Sequence, residues 1–350
     1  MRNSQCRASI PMKKWIVSLL VAAASLTSLP VHSEMGTNQP GALVWFPKVV
    51  RDADRDTIIQ LTNTTGVRVS LLCIYVNGAP DPATGQPLWQ TVDFQIALTR
   101  QQPSFWVASM GLGPQPSDGR PADLHPGLVP PLAEGFLGEL RCVVIDEGEI
   151  PSSRNALIGE ATIVNRSTGA QEKYPAFTFR GIGTNNRDNI LALDDREYSA
   201  CPRILMFNHF YAQAPDPITG SPVDTRVTFV PCSADFNRAV PTTTNLLFET
   251  FNEFEQRLSA SLTVTCFADL PLPSIDSPSD PTRSVFHFAT QGTIAGQTRV
   301  RPVPTRSVQH GVGVILLGTE SVSGNRTATI TPHFIGGALQ GDVIVLPTSF

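Results

Sequence analysis

The sequence lacks the short motifs that carry most hydrolytic and nucleotide chemistry. It has no Gly-x-Ser-x-Gly, no Ser-x-x-Lys, no His-Glu-x-x-His and no glycine-rich phosphate-binding loop. Glycosidase chemistry is not excluded in this way, because the 30 acidic residues offer many carboxylate pairs and the sequence gives no separation between them. The absence of motifs favours a protein that is not an enzyme, and no catalytic residue is assigned.

A surplus of basic residues is also missing. The whole chain has 26 Lys and Arg residues against 30 Asp and Glu residues. Removal of the leader described below takes away Arg2, Arg7, Lys13 and Lys14, which leaves 22 basic residues, 30 acidic residues and a net charge of −8. Nucleic acids and anionic lipids require a basic footprint, so we expect neither as a partner.

No apolar run is long enough for a membrane-spanning helix, which needs about 20 residues. The apolar stretch 16–29 follows Met12-Lys13-Lys14 and is succeeded by Pro30-Val31-His32-Ser33. A short basic start, a short apolar run and small residues before the cleavage point are typical of a secretory signal peptide. We therefore predict a signal peptide over 1–33, with Met12 as the true initiator. The mature protein is expected in the periplasm, outside the cell or on the cell surface, without a membrane span.

Helical periodicity is absent as well, because no segment keeps an apolar period of 3.6 residues. Short apolar runs alternate with Pro, Gly, Asn and Asp, and the chain has 30 prolines and 26 glycines, which predicts an all-β protein. The mature chain is roughly twice the size of a common domain. We predict two tandem β-sandwich (immunoglobulin-like) domains, over 41–182 and 203–350, joined by a polar linker over 183–202.

Two internal similarities bear on this organisation. The segment 79–87, APDPATGQP, recurs as 214–222, APDPITGSP. The second similarity relates 45–73 to 229–266, each with a strand that ends at proline, a predicted hairpin and a final cysteine. The two similarities have different offsets, so at most one reflects a duplication. The second covers more residues and supports the tandem modules.

Five cysteines follow the predicted cleavage point, and an oxidising compartment makes them disulfide candidates. Cys73 and Cys142 lie 69 positions apart, with Trp89 and Trp106 between them. This spacing predicts a bridge across the two sheets of the first sandwich with a tryptophan packed on it. The alternative is a pair of buried free thiols.

The three cysteines of the second half cannot all pair within one chain. We predict the bridge Cys232–Cys266, because the hairpin similarity places both residues in one module, and Cys201–Cys232 is the alternative. Under the first pairing Cys201 is the odd thiol, which is either buried and inert, paired with another chain, or a nucleophile.

Two groups of residues could ligate a metal ion, although each lacks part of the usual pattern. Three histidines, each followed by phenylalanine in a predicted strand, could hold zinc. They are His209, His287 and His333. No two of them are close enough in the sequence to form a preorganised pair. Asp52, Asp54 and Asp56 have the spacing of the first ligands of a calcium-binding loop. A threonine, however, stands where such a loop has the glycine of its turn. No bound metal or cofactor is expected.

Exposed aromatic side chains could also bind a ligand. A Pro-rich loop of the first half is flanked by two tryptophans, with a tyrosine and a phenylalanine nearby in sequence: Trp89, Trp106, Tyr75 and Phe105. They would form either a platform for a sugar or peptide, or part of the core.

Four segments resemble those of an uncharacterised family of predicted secreted bacterial proteins with tandem β-sandwich (immunoglobulin-like) modules. They are DTIIQLTN at 56–63, CIYVN at 73–77, GELRC at 138–142 and NHF at 208–210. The resemblance implies a bacterial source and an envelope or extracellular location, and it implies no catalytic residue.

The sequence thus favours an exported, non-enzymatic protein in surface interaction or envelope structure, with an unknown protein or glycan ligand bound by loops. Two alternatives stay open. One is a secreted hydrolase or metal-dependent enzyme, and the other is a periplasmic ligand-binding or assembly accessory protein.

Overall fold

A computed structural model describes residues 35–114, 121–183, 188–304, 311–323, 326–339 and 341–348. The predicted signal peptide lies outside this part of the chain. The described residues form 21 strands, β1 to β21, and one four-residue helix, α1 (Phe288–Gln291). The described residues belong to one compact unit.

The first half of the chain builds two facing antiparallel sheets. In spatial order, sheet I contains β4 (Gln90–Leu98), β3 (Val69–Asn77), β6 (Phe136–Ile145), β1 (Leu43–Arg51) and β9 (Phe177–Phe179). Sheet II contains β5 (Pro103–Val107), β2 (Arg55–Asn63), β7 (Leu157–Asn165) and β8 (Gln171–Pro175). Their facing sides bury a common apolar core that includes Phe46, Tyr75 and Trp106.

The second half repeats this layering with different strand orders. Sheet III contains β15 (Arg257–Thr265), β14 (Thr243–Asn252), β17 (Ala295–Pro302), β11 (Cys201–Phe210) and β20 (His333–Leu339). Sheet IV contains β16 (Ala268–Pro271), β12 (Val223–Pro231), β18 (Val314–Val322) and β19 (Arg326–Ile330). Phe207, Phe229 and Phe248 lie in the core that these two sheets share.

A fifth sheet and a third apolar cluster join the two halves. Sheet V contains β10 (Ile190–Leu193), β21 (Asp342–Val345) and β13 (Ala234–Asp235), and β13 runs parallel to β21. We call the third cluster the central core; it includes Trp45, Ile74 and Val143 from sheet I and Val230 and Ile315 from sheet IV. Sheet I is therefore buried on both faces, which explains why β1 and β3 are apolar almost throughout instead of alternating.

The structure is all-β, but the predicted fold class is wrong. The described strands form five sheets, an arrangement classed as a five-bladed β-propeller, and not two tandem immunoglobulin-like sandwiches. The blades are irregular, because they hold three to five strands whose spatial order crosses over along the chain. The alternation of apolar residues identifies strands, but it does not say which sheet each strand joins or how many sheets share one core. Within the predicted linker, β10 is a strand of sheet V.

Candidate functional site

The structure does not bring the three candidate histidines together. His209 is buried in β11, with Nδ1 3.1 Å from the Phe210 carbonyl oxygen and Nε2 2.8 Å from the Thr298 hydroxyl. His287 caps α1, where its Nδ1 accepts a backbone N–H at 3.1 Å. His333 is exposed at the start of β20. The three imidazoles thus lie in three different local environments and do not form the zinc site considered from the sequence.

The Asp52 to Asp56 segment forms a turn that its own side chains stabilise. Asp52 Oδ1 accepts the backbone N–H groups of Asp54 at 3.0 Å and Arg55 at 2.6 Å. Burial opposes ionisation of Asp52, but the hydrogen bonds and charge of Arg55 lower the pKa of this carboxyl below its usual value. Asp56 Oδ1 accepts the N–H of Thr57 at 2.9 Å. The Asp52 carboxylate thus acts as the acceptor of the turn before β2, and the Asp56 carboxylate accepts a backbone N–H group within β2 and that of Ser109.

Cys73 and Cys142 form a disulfide, as the sequence predicts, but its place in the fold differs. The two residues face each other on the neighbouring strands β3 and β6. The bridge therefore lies within sheet I and does not cross between two sheets. Trp106 belongs to the same core, where its Nε1 donates to Tyr75 Oη at 2.7 Å, whereas Trp89 lies elsewhere, stacked on Phe236.

The predicted bridge Cys232–Cys266 is wrong, because the structure pairs Cys201 with Cys232 and leaves Cys266 as a free, buried thiol. Cys201 opens β11 and Cys232 follows β12, and both lie against Gly313. Cys266 follows β15 and enters the central core beside the buried pair Glu139–Arg141. Burial and the nearby Glu139 carboxylate raise the pKa of its thiol.

The aromatic residues do not form an exposed platform. Trp106 and Tyr75 are fully buried, and Trp89 is half-buried with its ring 5.7 Å from that of Phe236. Phe105 alone of the four is exposed, at 55%. Tyr75 and Trp106 belong to an apolar core and Trp89 packs against another, which is the second of the two interpretations offered by the sequence, whereas Phe105 does not join a core.

A cleft lies on sheet III, where several polar and aromatic side chains meet. Its volume is about 550 Å3, within the range typical of small-molecule sites. Three neighbouring strands, β11, β17 and β14, supply most of its wall, and β18 of sheet IV supplies one carboxylate. The lining residues are Asn208, His209, Phe210, Phe251, Asn252, Glu253, Ala295, Gly296, Gln297 and Glu320.

Strand register explains why these residues meet. Phe251 and Asn208 both face Gln297 across β17, so the three side chains share the outer face of sheet III. The next row, Asn252 and His209 opposite Gly296, points inward. The cleft thus has an aromatic ring and two amide side chains on its outer face, and it rests on a buried polar row.

The C-terminal end of β11 is fixed by a chain of hydrogen bonds. One oxygen of Glu320 accepts the backbone N–H of Phe210 at 2.7 Å, and the Thr225 hydroxyl donates to the Phe210 carbonyl oxygen at 2.9 Å. His209 donates to the same carbonyl oxygen, so its other ring nitrogen accepts from Thr298. The wall of the cleft is therefore preorganised at Phe210.

Charge in the cleft is negative. Glu253 and Glu320 line it, and its lining contains no Lys or Arg among the described residues. Burial raises the pKa of Glu320, although the Phe210 N–H opposes this by stabilising the carboxylate. Burial lowers the pKa of His209 to about 4, so this imidazole is neutral near pH 7. The two lining carboxylates repel an anionic ligand, and a cation that contacts a lining side chain is Arg299, whose guanidinium lies 5.0 Å from the centroid of the Phe251 ring.

Gly296 makes room for an aromatic ring beneath the cleft. A Cβ at this position would lie 2.5 Å from the Tyr211 ring, whose hydroxyl lies 3.1 Å from the Thr250 hydroxyl. We expect Gly296→Ala to lower the free energy of unfolding by about 1–3 kcal/mol, because the buried ring must move. Urea denaturation measures this.

The matched control for that substitution is Gly66→Ala, since a Cβ at Gly66 has no atom within 4 Å. It should change stability by less than about 0.5 kcal/mol. Equal stability of Gly296→Ala and wild type would show that Tyr211 is free to shift.

Sequence reasoning did not find this cleft. Its polar groups come from four strands that are far apart in the chain, and no short motif contains more than three of them. The one local signal was the segment Asn208–Phe210, which the sequence singled out as a possible zinc ligand region and as part of a resemblance. The pairing of β11 with β17 was needed to place it beside Gln297.

Within the described residues, no helix is long and apolar enough to cross a membrane. Comparison with known protein families gives no match, and comparison with curated protein sequences gives no significant similarity.

Proposed function

We propose that this is an exported, non-enzymatic binding protein that holds a neutral or amine-bearing saccharide in the cleft on sheet III. The observation that carries the proposal is the composition of the cleft: partly exposed aromatic rings, amide side chains and carboxylates converge in about 550 Å3. Export is supported by two disulfides, Cys73–Cys142 and Cys201–Cys232, which persist in oxidising compartments.

Saccharide chemistry fits the two kinds of surface in the cleft. The Arg299 guanidinium lies over the Phe251 ring, 5.0 Å from its centroid, and the other face of this ring would receive the C–H face of a sugar ring. Phe210 also lines the cleft. Asn208 and Gln297 each provide one acceptor and an amide donor group, and Glu253 provides acceptors for hydroxyl groups. A pocket of mixed apolar and convergent polar groups is the usual form of a small-molecule site.

The charge of the cleft narrows the ligand class. Two carboxylates without a lining cation repel sulfated, phosphorylated or carboxylate-bearing sugars. A protonated amine, in contrast, would gain a charge-assisted hydrogen bond to Glu253 or Glu320. We therefore expect amine-bearing oligosaccharides to bind more tightly than neutral ones, and acidic ones not to bind.

The test is isothermal titration of the exported chain with neutral, amine-bearing and acidic oligosaccharides of equal length. Phe251→Ala should weaken binding at least about tenfold, which corresponds to about 1.4 kcal/mol. Phe105→Ala removes an exposed ring of similar size on β5 of sheet II and should leave the Kd unchanged. The proposal fails if no saccharide binds, or if Phe105→Ala and Phe251→Ala weaken binding equally.

A second candidate function rests on one observation, the presence of Glu253 and Glu320 in the same cleft. Paired carboxylates perform glycoside hydrolysis, and the acid of such a pair needs a raised pKa, as burial gives to Glu320. Hydrolysis would release reducing ends during the titration, and Glu320→Gln would abolish that release. Binding without release distinguishes the binding protein from the hydrolase.

A further inference from the structure

We propose that the thiol form of this protein carries a zinc site made of Cys201, Cys232 and Asp342, and that closing the disulfide removes it. This site is separate from the cleft on sheet III and does not depend on the function proposed for it.

The geometry of the group supports the proposal. In the structure the two sulfur atoms are bonded to each other, and a carboxylate oxygen of Asp342 lies within 4.8 Å of both. In the part of the chain that the structure describes, this is the only such group of His, Cys, Asp and Glu residues. All three residues are buried, with at most 2% of their surface exposed. Two thiolates and a carboxylate are ligands that zinc accepts, and water or another ligand completes the tetrahedron.

The carboxylate is already held in place by its neighbours. Asp342 Oδ1 accepts the Ser233 hydroxyl at 2.7 Å, and the Gly313 N–H donates to Oδ2 at 3.0 Å. Hydrogen bonds of this kind orient carboxylate ligands in metal sites. Gly313 also provides space, since a Cβ there would lie 2.6 Å from both Asp342 Oδ2 and Cys201 Cβ.

A dithiol can reduce the Cys201–Cys232 disulfide. The dithiol supplies two electrons and two protons, the Cys201–Cys232 bond breaks to give two thiols, and the dithiol becomes a cyclic disulfide. Zinc binding then releases the two thiol protons to water. Zn–S bonds of about 2.3 Å in a tetrahedral site place the two sulfurs about 3.8 Å apart, so a small separation of β11 and β12 is sufficient.

The consequence concerns newly exported chains, which arrive with their cysteines reduced. Zinc and the oxidising machinery would compete for the same two thiols, and bound zinc would delay formation of the second bridge. Cys73 and Cys142 lie in another sheet and would oxidise independently of zinc.

The experiment compares the oxidised chain with the chain reduced by a dithiol and freed of reductant without oxygen. Each is titrated with zinc, and with cobalt(II) as a spectroscopic probe of thiolate coordination. The reduced chain should bind about one equivalent and show a sulfur-to-cobalt charge-transfer band, whereas the oxidised chain should bind none. Zinc should protect Cys201 and Cys232 from alkylation, as mapped by mass spectrometry.

Variants separate this site from non-specific thiol binding. Cys201→Ser should lose the equivalent of zinc, and Asp342→Asn should weaken it at least about tenfold. Cys266→Ser is the control and should bind zinc as the wild type does. The proposal is overturned if the reduced wild-type chain takes up no zinc, with or without a retained circular dichroism spectrum, or if Cys201→Ser binds it with unchanged affinity.

Discussion

Lys48→Met should lower the free energy of unfolding by about 3–5 kcal/mol, because it removes the cation at the centre of a buried ionic network. Lys48 lies on β1 and is 1% exposed. Its Nζ is 3.1 Å from Glu172 Oε2 on β8 and 3.7 Å from Asp269 Oδ1 on β16. The network therefore connects strands of sheets I, II and IV.

The carboxylates of this network have further partners, which make the loss of Lys48 costly. Asp269 accepts the Thr228 hydroxyl at 2.8 Å and Arg226 Nη2 at 2.9 Å, and Glu172 accepts the Thr319 hydroxyl at 3.0 Å. They hold both carboxylates in place, so neither can turn to water when the lysine is gone. Methionine keeps the length of the stem, so the change isolates the charge from the packing.

The control is Lys173→Met, which removes a lysine that pairs with Glu160 at the surface. Both side chains of that pair are about half exposed, so we expect a change below about 1 kcal/mol. Urea denaturation at pH 7 measures both variants. A Lys48→Met protein as stable as the Lys173→Met protein would contradict the assigned role.

The pH dependence of the free energy of unfolding gives a second test of the Lys48 network. Burial opposes the ionised form of Asp269, but Lys48 and Arg226 outweigh it and lower the pKa of this carboxyl in the folded protein. A depressed pKa contributes stability that is present above the unfolded value of about 4 and is lost as pH falls through the folded value. The difference between Lys48→Met and wild type should therefore shrink in acid, as the Asp269 carboxylate becomes protonated.

The same network shows why the strands could be predicted but their assembly could not. The alternation in 56–62 and the apolar runs of β1 and β3 identify strands, because side-chain period and β-branching depend on the local chain. The position of Lys48 in an otherwise apolar strand signals a buried charge only once Glu172 and Asp269 are known to meet it. Those residues lie more than 120 positions further along the chain.

The internal similarities also predict local structure but not which strands pair. The favoured similarity required two equivalent hairpins, yet β2 and β3 lie in different sheets, whereas β14 and β15 pair directly. This similarity therefore predicted the wrong disulfide partner for Cys232. The short repeat 79–87 and 214–222 has equivalent turns in the structure.

Matching hydrogen bonds define those turns. Gly85 donates to the Asp81 carbonyl at 2.7 Å and Gly220 to the Asp216 carbonyl at 2.8 Å, and both glycines have φ near 70°. Proline, aspartate and glycine at fixed spacing determine a turn locally, whereas a hairpin depends on which strands pair. Short turn motifs are thus the part of this sequence from which structure follows most directly.

His209→Gln should remove a pH dependence of stability worth about 3 kcal/mol between pH 6.5 and pH 4. Burial lowers the pKa of His209 to about 4, against about 6.5 in the unfolded chain. The unfolded state then binds a proton in this window that the folded state does not. The resulting stability is present above about pH 6.5 and is lost progressively as pH falls toward 4.

The measurement compares urea denaturation of His209→Gln and wild type at half-unit steps from pH 4 to pH 7.5. Buried acids such as Glu139, whose pKa burial raises, bend both curves in the opposite sense, so the difference between the curves is the quantity to read. The wild-type slope should exceed that of the variant by up to about 1.4 kcal/mol per pH unit.

His333→Gln provides the control, since it removes an imidazole that is exposed at the start of β20. Parallel curves for His209→Gln and wild type would show that the buried imidazole does not oppose protonation. This result also bears on the function proposed for the cleft on sheet III, because the His209 ring contacts the Phe210 carbonyl at the wall of that cleft. Acid should then weaken binding of the proposed saccharide in the wild type, since protonation of His209 turns its Nε2 from an acceptor into a donor toward Thr298.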